Sequence, residues 1–262
     1  MNVKVMTFNL RVDSPTDHNN VWSNRVDKVA EMIVKHDPII FGIQEGLYYM
    51  LTQLEERLHC YHWLGQGRDG GNNGEFSAIF YKKDIVSLIE EGQFWLSENP
   101  DEPGSKSWGA ACPRVCTWGH FKFLQESEKE FSFYNTHLDH ISQEAREKGI
   151  QMIWDKIKTH RQKKKRTVFL TGDLNALPEN NVIKFLQAKE EMVDSYSILK
   201  GEAGPTFHSF SGGTKGYPID YIFVTKDVHL QNIIVDRSKV NGGFPSDHYP
   251  VILMSSIIRN KS

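Results

Sequence analysis

Apolar residues recur along the chain at two spacings, every second residue and every third to fourth residue. Such a pattern predicts a chain that switches repeatedly between strand and helix. Val3 and Val5 alternate with polar residues before an apolar run that ends at Phe8, which predicts a strand. Residues 22–35 carry apolar side chains at helical spacing, and residues 39–43 form a continuously apolar run that is typical of a buried central strand.

The same rhythm continues to the end of the chain. Further helices are predicted over residues 47–58, 143–160 and 182–186. Further strands are predicted over residues 77–81, 86–90, 94–96, 115–123, 131–138, 167–171, 219–224 and 251–254. No convincing linker interrupts the pattern, so we expect one α/β domain over residues 1–262. The strand-rich middle favours two sheets over a single parallel sheet.

Composition limits the classes of partner. The chain has 262 residues, 39% of them apolar, which is ample for a deep core. Lys and Arg total 31 against 33 for Asp and Glu, and the resulting net charge of -2 disfavours a general coat for a long polyanion. One basic run at residues 161–166 could bind nucleic acid, but it ends a predicted helix, where cations complement the helix dipole. We expect it to lie away from the catalytic edge.

The sequence pattern predicts no targeting signal, no membrane span and no structural zinc site. No apolar run is long enough to predict a membrane-spanning helix, and residues 1–11 begin as a strand rather than as a signal peptide. Cys60, Cys112 and Cys116 lack the two-residue spacing of structural zinc sites. We therefore expect reduced thiols in a cytoplasmic protein, with no membrane or protein partner indicated.

The informative feature is a set of polar residues at the ends of predicted strands. A charged side chain in or beside an apolar strand is costly unless it is paired or bound to a metal. Several such residues at one end of a sheet can share a site. The set comprises Asn9, Gln44, Glu45, His137, Asp173, Asn175, Asp220, Asp247 and His248.

Taken singly, several of these residues have an ordinary structural explanation. Glu45 could cap the following helix, because a negative charge is favourable at a helix N-terminus. Asp173, Asn175 and Asp247 could be turn formers, since short polar side chains bond to their own backbone. The full set at strand ends is less readily explained by turns, and it favours a shared functional site.

In chain order these positions form six short motifs. They are Thr7-Phe8-Asn9, Gln44-Glu45, Asn135-Thr136-His137-Leu138, Gly172-Asp173-Leu174-Asn175, Ile219-Asp220-Tyr221 and Ser246-Asp247-His248. The series resembles the endonuclease/exonuclease/phosphatase superfamily, which includes abasic-site endonucleases, deoxyribonucleases, phosphatases and deadenylases. The resemblance implies a four-layer α/β/β/α sandwich of two packed mixed sheets flanked by helices. It also implies a divalent-metal-dependent hydrolase of a phosphodiester or phosphomonoester, with its site at one edge of the sheets.

Hydrolysis of a phosphate ester requires charge neutralisation on the phosphoryl oxygens, an activated water and a stabilised leaving oxygen. The resemblance implies that Glu45 is the metal carboxylate and that Asn9 lies beside it. Asp247 would be a further ligand, either directly or through water. Oxygen ligands of this kind suit Mg²⁺, with Mn²⁺ as an alternative.

The remaining residues of the set are assigned catalytic roles. His248 is the expected general base because imidazole titrates near neutral pH. Asp220 would orient and polarise His248. Asp173 would orient or activate the attacking water, and Asn175 would hold a phosphoryl oxygen. His137 would donate a hydrogen bond to the phosphate or help to protonate the leaving group.

Arg11 is a departure from the family pattern. Several members carry an acidic residue two positions after the first-strand Asn, where this chain has Arg11. The departure resembles the deadenylase-like and phosphatase-like branches more than the abasic-site nucleases, and it puts a second tight metal site in doubt. Asp13 could substitute for the missing carboxylate, although loop aspartates more often form turns.

Two further residues are candidates for substrate binding. Arg114 starts a predicted strand and could clamp a phosphate, with a structural salt bridge as the alternative. Trp108 lies in a loop and could present an aromatic face to a base. The glycine-rich loop at residues 65–71 lacks the spacing of a nucleotide-binding loop. It would border the substrate entrance or be flexible.

The function favoured by these observations is hydrolysis of a phosphate ester on a small molecule or a short nucleic acid, with water activated by His248. A nuclease acting on DNA or RNA is the first alternative, although the balanced charge disfavours a long duplex. A lipid phosphodiesterase is disfavoured by the absence of an apolar docking helix. A catalytically inactive binding module is disfavoured because every principal site residue is present.

Overall fold

The computed structural model describes residues 2–257. Its helices are α1 (Val26–His36), α2 (Tyr48–Glu55), α3 (Gln143–Lys163) and α4 (Asn181–Gln187). Its strands are β1 (Asn2–Asn9), β2 (Ile40–Gln44), β3 (Tyr61–Leu64), β4 (Ile79–Lys82), β5 (Val86–Trp95), β6 (Val115–Phe123), β7 (Glu130–His137), β8 (Thr167–Asp173), β9 (Met192–Asp194), β10 (Asp220–Thr225), β11 (Val228–Val235) and β12 (Val251–Ile257).

The strands form two mixed sheets of six strands each. The first sheet has the order β11-β12-β1-β2-β4-β3, and the second has the order β5-β6-β7-β8-β10-β9. Each sheet contains one parallel pair, β1 with β2 and β7 with β8. A parallel pair needs a crossover connection, and these two crossovers carry α1 and α3.

Three apolar clusters define the layers. Met6 and Phe8 of β1 pack in the cluster formed with α1 and α2 on the outer face of the first sheet. Tyr134 and Leu170 pack in the cluster formed with α3 and α4 on the outer face of the second sheet. A third cluster, which includes Val5, joins the inner faces of the two sheets. The predicted four-layer α/β/β/α sandwich is thus confirmed.

The strands that the sequence pattern missed are edge strands. β3 and β11 lie at the two edges of the first sheet, and β9 lies at one edge of the second. An edge strand is partly solvated, so its apolar pattern is weak, and β11 alternates buried with exposed side chains only irregularly. The ranges 86–90 and 94–96 prove to be one strand, β5, whose register shifts near Leu88.

The first predicted helix starts later than expected. Residues Trp22–Asn24 form a 3₁₀ turn, and α1 begins at Val26. Trp22 is nevertheless buried in the core beneath the first sheet, as its helical spacing suggested. The apolar spacing predicted the burial of Trp22 correctly, because one turn of 3₁₀ helix directs side chains almost as an α-helix does.

A buried polar seam joins the two sheets close to the functional end. Asn135 Nδ2 donates to the carbonyls of Ile43 at 2.7 Å and Ala78 at 2.9 Å, and its Oδ1 accepts from Gln44 Nε2 at 2.7 Å. Gly42 lies against this amide, and a Cβ atom at Gly42 would stand 2.3 Å from Asn135 Oδ1. The seam fixes how the strand ends of one sheet face those of the other.

Candidate active site

Strand alternation brings the predicted residues together at one end of the sandwich. Side chains two apart on a strand share a face, so Asn9 of β1 and Asp173 of β8 both point between the sheets. Asp173 also stands opposite His137 of β7 and Asp220 of β10 in the sheet register. The polar ends of four strands from two sheets therefore converge on one place.

A cleft of about 310 Å³ opens at this end. Its lining contains seven of the residues that the sequence singled out: Glu45, Arg114, His137, Asp173, Asn175, Asp247 and His248. Asn9 and Asp220 lie directly behind the lining, hydrogen-bonded to Asp173 and His248 respectively.

His248 is enclosed by carboxylates. Its Nδ1 lies 2.9 Å from Asp220 Oδ2, and its Nε2 lies 3.8 Å from Asp173 Oδ2. Burial acts to lower the pKa of His248, but the negative charge and hydrogen bond of Asp220, together with Asp173, outweigh it and raise the pKa to about 10. The imidazole is therefore a cation at neutral pH.

Asp173 occupies the centre of the site. Its Oδ2 accepts from Asn9 Nδ2 at 3.0 Å, and its Oδ1 accepts from the backbone N–H of Asn175 at 2.9 Å. Burial, followed by the nearby charge of Asp220, raises the pKa of Asp173 to about 7, although His248 opposes the shift. A carboxylate with such a pKa can exchange a proton near neutral pH.

His137 is neutral. Asn175 Nδ2 donates to His137 Nε2 at 3.0 Å and to the carbonyl of Leu138 at 3.0 Å. Burial, reinforced by the charge of Arg114, holds the pKa of His137 well below its usual range. Because Nε2 accepts from Asn175, the 3.4 Å approach of His137 to Asp173 is not an ion pair. Asn175 adopts a left-handed backbone with φ +46°, a conformation that Asn tolerates.

Glu45 and Asp247 are the carboxylates best placed to hold a cation. Glu45 accepts from Asn9 Nδ2 at 3.0 Å and from the N–H of Val12 at 2.9 Å. Burial acts to raise the pKa of Glu45, yet the positive charge of His248 and these hydrogen bonds leave it below its ordinary value. Asp247 shares the cleft, where burial and the charge of Glu45 raise its pKa.

This donor set fits a hard divalent cation. Glu45 and Asp247 place two carboxylates in one cleft, and the negative charge of Glu45 raises the pKa of Asp247. A bound Mg²⁺, which prefers oxygen ligands, would neutralise this charge. A second group, Asp173, Asp220 and His248, has ligand atoms within 4.8 Å of one another. Its imidazole nitrogen is already bonded to Asp220, so this group is better suited to catalysis than to binding Mg²⁺.

Asn9 orients the acidic residues in this arrangement. Its Nδ2 bridges Glu45 and Asp173, and its Oδ1 accepts from the N–H of Arg11 at 2.9 Å. The Ser246 hydroxyl donates to the Asn9 carbonyl at 2.7 Å and so ties the Asp247 loop to β1. Direct ligation of a metal by Asn9 stays a prediction.

The departure from the family pattern at Arg11 places a cation beside the acidic residues. Arg11 forms two bonds to the carboxylate of Asp17, at 2.8 and 2.9 Å, and its Nε lies 3.8 Å from Asp247. Asp13 is not among the residues that line the cleft, and its carboxylate accepts from the N–H of Trp22 at 2.8 Å and the hydroxyl of Tyr49 at 2.5 Å.

Arg114 lines the cleft, which is the position that its predicted role in substrate binding requires. Its guanidinium lies 3.2 Å from His140 Nδ1, and no carboxylate within residues 2–257 forms an ion pair with it. The sequence did not single out Arg68, Glu75 or Phe207, which also line the cleft. Arg68 and Glu75 belong to one loop, where they form an ion pair at 2.8 Å, and Phe207 belongs to another loop distant in the chain. Neither loop carries a periodic pattern that would have predicted its position at the cleft.

Trp108 and the basic run lie elsewhere. Trp108 is not among the residues that line the cleft, and its carbonyl accepts from the Ser142 hydroxyl at 2.6 Å. A role for Trp108 in substrate binding stays a prediction. In the basic run, Arg161 pairs with Glu191 and Arg166 with Glu130, at the end of β8 remote from Asp173. The expected distance of this run from the catalytic edge is confirmed.

Known structures share this fold over almost the whole chain. An endonuclease/exonuclease/phosphatase family protein from Bacteroides thetaiotaomicron superposes with a TM-score of 0.92 and 35% identity, covering 97% of this chain and 98% of that one. A mannosyl-6-phosphatase from the same species gives 0.92 and 35%, covering 97% and 100%. The human Nocturnin catalytic domain gives 0.77 and 18%, covering 98% and 93%, which shows the fold alone.

A comparison of the sequence with protein families gives the same assignment. The model of the Endonuclease/Exonuclease/phosphatase family matches residues 6–248, and the chain belongs to this family of hydrolases acting on phosphoesters. Protein angel of Drosophila melanogaster is 26% identical over 213 residues, a match that covers 78% of this chain and 57% of that relative's length. Within residues 2–257, no helix is long and apolar enough to cross a membrane.

Proposed function

We propose that the protein is a divalent-metal-dependent phosphoesterase that hydrolyses its substrate by attack of water in the cleft. The observation that carries the proposal is the position of Asp173. This one carboxylate contacts Asn9, which holds Glu45, and faces the charged imidazole of His248. The site thereby combines a proton acceptor, Asp173, with the cation of His248 and the carboxylates proposed to bind the metal.

Glu45 and Asp247 would hold the cation. A bound Mg²⁺ would supply positive charge to the phosphoryl oxygens and lower the pKa of the attacking water. The chain itself keeps Glu45 charged and fixed through the bonds from Asn9 and Val12. Arg114 supplies a further positive charge for the phosphate, and the side chain of Asn175 holds His137 beside it.

Two residues could accept the proton of the attacking water. The sequence assigned this role to His248, and that assignment stays a prediction. A raised pKa makes His248 a poor base at neutral pH, whereas Asp173 has its pKa near 7. We therefore favour Asp173 as the base, with His248 acting as the cation that stabilises the phosphoryl charge.

A small organic phosphate is the favoured substrate. The cleft volume of about 310 Å³ lies at the small end of ligand pockets. The mannosyl-6-phosphatase named above shares 35% identity over nearly the full length, which supports a phosphorylated sugar or a similar compound. A nuclease activity is the alternative, and a structure of the zebrafish protein TDP2 with a single-strand DNA product shares the fold at 16% identity and a TM-score of 0.77.

A direct assay tests the proposal. Purified protein with Mg²⁺ or Mn²⁺ should release p-nitrophenol from p-nitrophenyl phosphate, and a chelator should stop the release. Glu45→Gln should weaken metal binding in calorimetry and lower activity at limiting metal by at least 10-fold. Glu191→Gln, at the far end of the sandwich, serves as the matched control. Undiminished activity and metal binding in Glu45→Gln would contradict the proposal, and an inactive native protein would favour a binding module.

A further inference from the structure

A narrow recess opens from the cleft beside Glu45 and His137. Its volume is about 10 Å³, which is room for one water-sized atom. The apolar side chains of Phe76, Pro113 and Val115 form part of its wall. The recess therefore adjoins the position of the reacting phosphate but is too small for a carbon chain.

Two arginines line both the recess and the cleft. Arg114 is 7% exposed, and its Nε atom is buried without a hydrogen-bond partner among the described residues. Arg68 has a similarly unpartnered Nε and donates from its other end to Glu75 Oε2 at 2.8 Å. Buried donors without acceptors are costly in a folded protein. Arg146 and Arg237 also have an unpartnered Nε, but only Arg68 and Arg114 combine this feature with a place in the lining of the cleft, which favours a site for an anionic ligand there.

The loop that carries Arg68 is fixed in place. The backbone N–H of Arg68 donates to the Glu75 carbonyl at 2.9 Å. Its own carbonyl accepts from Trp95 Nε1 at 2.6 Å and from the N–H of Gly104 at 3.2 Å. The glycine-rich segment at residues 65–71 thus borders the substrate entrance as an ordered wall, and Arg68 needs little reorganisation to meet a ligand.

We propose that the recess between Arg68 and Arg114 receives an unesterified phosphoryl oxygen and makes the protein selective for phosphomonoesters. This inference rests on the proposed function and deepens it. A phosphodiester keeps only two unesterified oxygens, against three in a monoester. Where the cation at Glu45 and Asp247 and the side chain of His248 contact two phosphoryl oxygens, as in the proposed function, the remaining oxygen of a diester would direct its carbon substituent toward a recess that admits one oxygen-sized atom.

A monoester also carries close to two negative charges at neutral pH, against one for a diester. It therefore gains more from the positive charge of Arg114, which has no carboxylate partner among the described residues, whereas Arg68 shares its charge with Glu75.

The reaction balances with water as the second substrate. The water oxygen bonds to phosphorus, and the bond from phosphorus to the ester oxygen breaks with its electron pair passing to that oxygen. The leaving oxygen gains a proton, so the products are an alcohol and inorganic phosphate. No oxidant or reductant is needed.

Paired substrates test the selectivity. p-Nitrophenyl phosphate and bis(p-nitrophenyl) phosphate share one leaving group and one absorbance readout. We expect the native protein with Mg²⁺ to prefer the monoester in kcat/KM, and Arg68→Met to lower monoester turnover by about 30-fold while changing diester turnover much less. Arg161→Met, an arginine at the opposite end, is the control. Equal use of both esters, or an equal loss on both in Arg68→Met, would overturn the inference.

Phosphate binding separates this inference from the proposed function. Calorimetry of the native protein should show binding of inorganic phosphate and none of dimethyl phosphate, and Arg68→Met should weaken phosphate binding by about 10-fold or more. If the protein binds phosphate in this way but has no hydrolytic activity, the proposed function is wrong and the assignment of the recess is still supported. Arg68→Lys retains the positive charge and serves as a second variant in case Arg68→Met fails to fold. Equal binding of inorganic phosphate and dimethyl phosphate to the folded native protein would overturn the assignment of the recess.

Discussion

Two polar clusters that contain buried histidines have opposite electrostatics. In the catalytic cluster, His248 lies between Asp173 and Asp220. In the second cluster, which we call the hydroxyl cluster, His120 Nδ1 lies 2.9 Å from Ser132 Oγ, and His160 Nδ1 lies 2.8 Å from the hydroxyl of Tyr134. The hydroxyl cluster lies between α3 and the outer face of the second sheet.

The partner decides the charge of a buried imidazole. Burial, helped by neighbouring positive charges, lowers the pKa of His120 and of His160 to about 4, because hydroxyl partners do not compensate the lost hydration. The carboxylates around His248 overcome the same effect and raise its pKa to about 10. One fold thus uses histidine as a neutral packing group in one place and as a fixed cation in the other.

The largest expected effect is loss of the central carboxylate of the catalytic cluster. Asp173→Asn should lower kcat by 10²-fold to 10⁴-fold, because the substitution removes the group favoured as the base but keeps its shape. Initial rates on p-nitrophenyl phosphate measure this. Asp194→Asn, a substitution on edge strand β9, is the control and should stay within a few-fold of the native rate. A comparable loss in both variants would point to general damage.

Removing the partner of His248 makes the catalytic cluster resemble the hydroxyl cluster. Asp220→Asn should lower the pKa of His248 and reduce kcat by about 10²-fold, because a neutral amide cannot hold the imidazolium. NMR titration of the imidazole gives the pKa, with the native protein protonated through pH 8. Persistence of the native pKa in Asp220→Asn would show that Asp220 does not set the charge.

The hydroxyl cluster should instead appear in the pH dependence of stability. Above pH 6.5 both histidines are neutral in the folded and unfolded states, so they contribute no pH dependence. As pH falls from 6.5 toward 4, the unfolded chain binds protons that the folded chain does not, and the free energy of unfolding should fall by up to about 3 kcal/mol per histidine. Urea unfolding at pH 7.5 and pH 5 measures this.

A paired variant isolates that contribution. His120→Gln combined with His160→Gln should reduce the change in unfolding free energy between pH 7.5 and pH 5, because glutamine binds no proton. Part of the change should remain, since burial also lowers the pKa of His208 to about 4. An unchanged pH dependence in the double variant would exclude these histidines as its source.

The smallest expected effect concerns one hydroxyl. Tyr134→Phe removes the bond to His160 and should cost about 1 kcal/mol of unfolding free energy with no effect on kcat. Thermal unfolding and the same rate assay measure both quantities. A marked loss of activity would show that the two clusters are coupled.

The sequence supported the layers of the fold and most of the candidate site. Central strands such as β1 and β8 carry strong apolar runs, because both of their faces are buried. The motif series predicted which strand ends converge, since each motif combines a strand with a polar end residue. The edge strands β3, β9 and β11 were missed because solvation of one edge weakens their pattern.

Charge state and loop geometry could not be predicted from the sequence. The general-base role expected for His248 rested on the ordinary pKa of imidazole, whereas its charge depends on Asp173 and Asp220, which lie on other strands. Arg68 and Glu75 join the cleft through loop contacts between residues distant from the motifs. Such contacts depend on tertiary packing, which leaves no periodic signal.

The most direct test of the account changes one histidine in each cluster. Phosphate release from p-nitrophenyl phosphate with Mg²⁺ should fall by about 10³-fold in His248→Asn, because the fixed cation of the site is lost. In His160→Asn the rate should stay within a few-fold of native at pH 7.5. Equal rates in His248→Asn and the native protein, or equal losses in the two variants, would contradict the account.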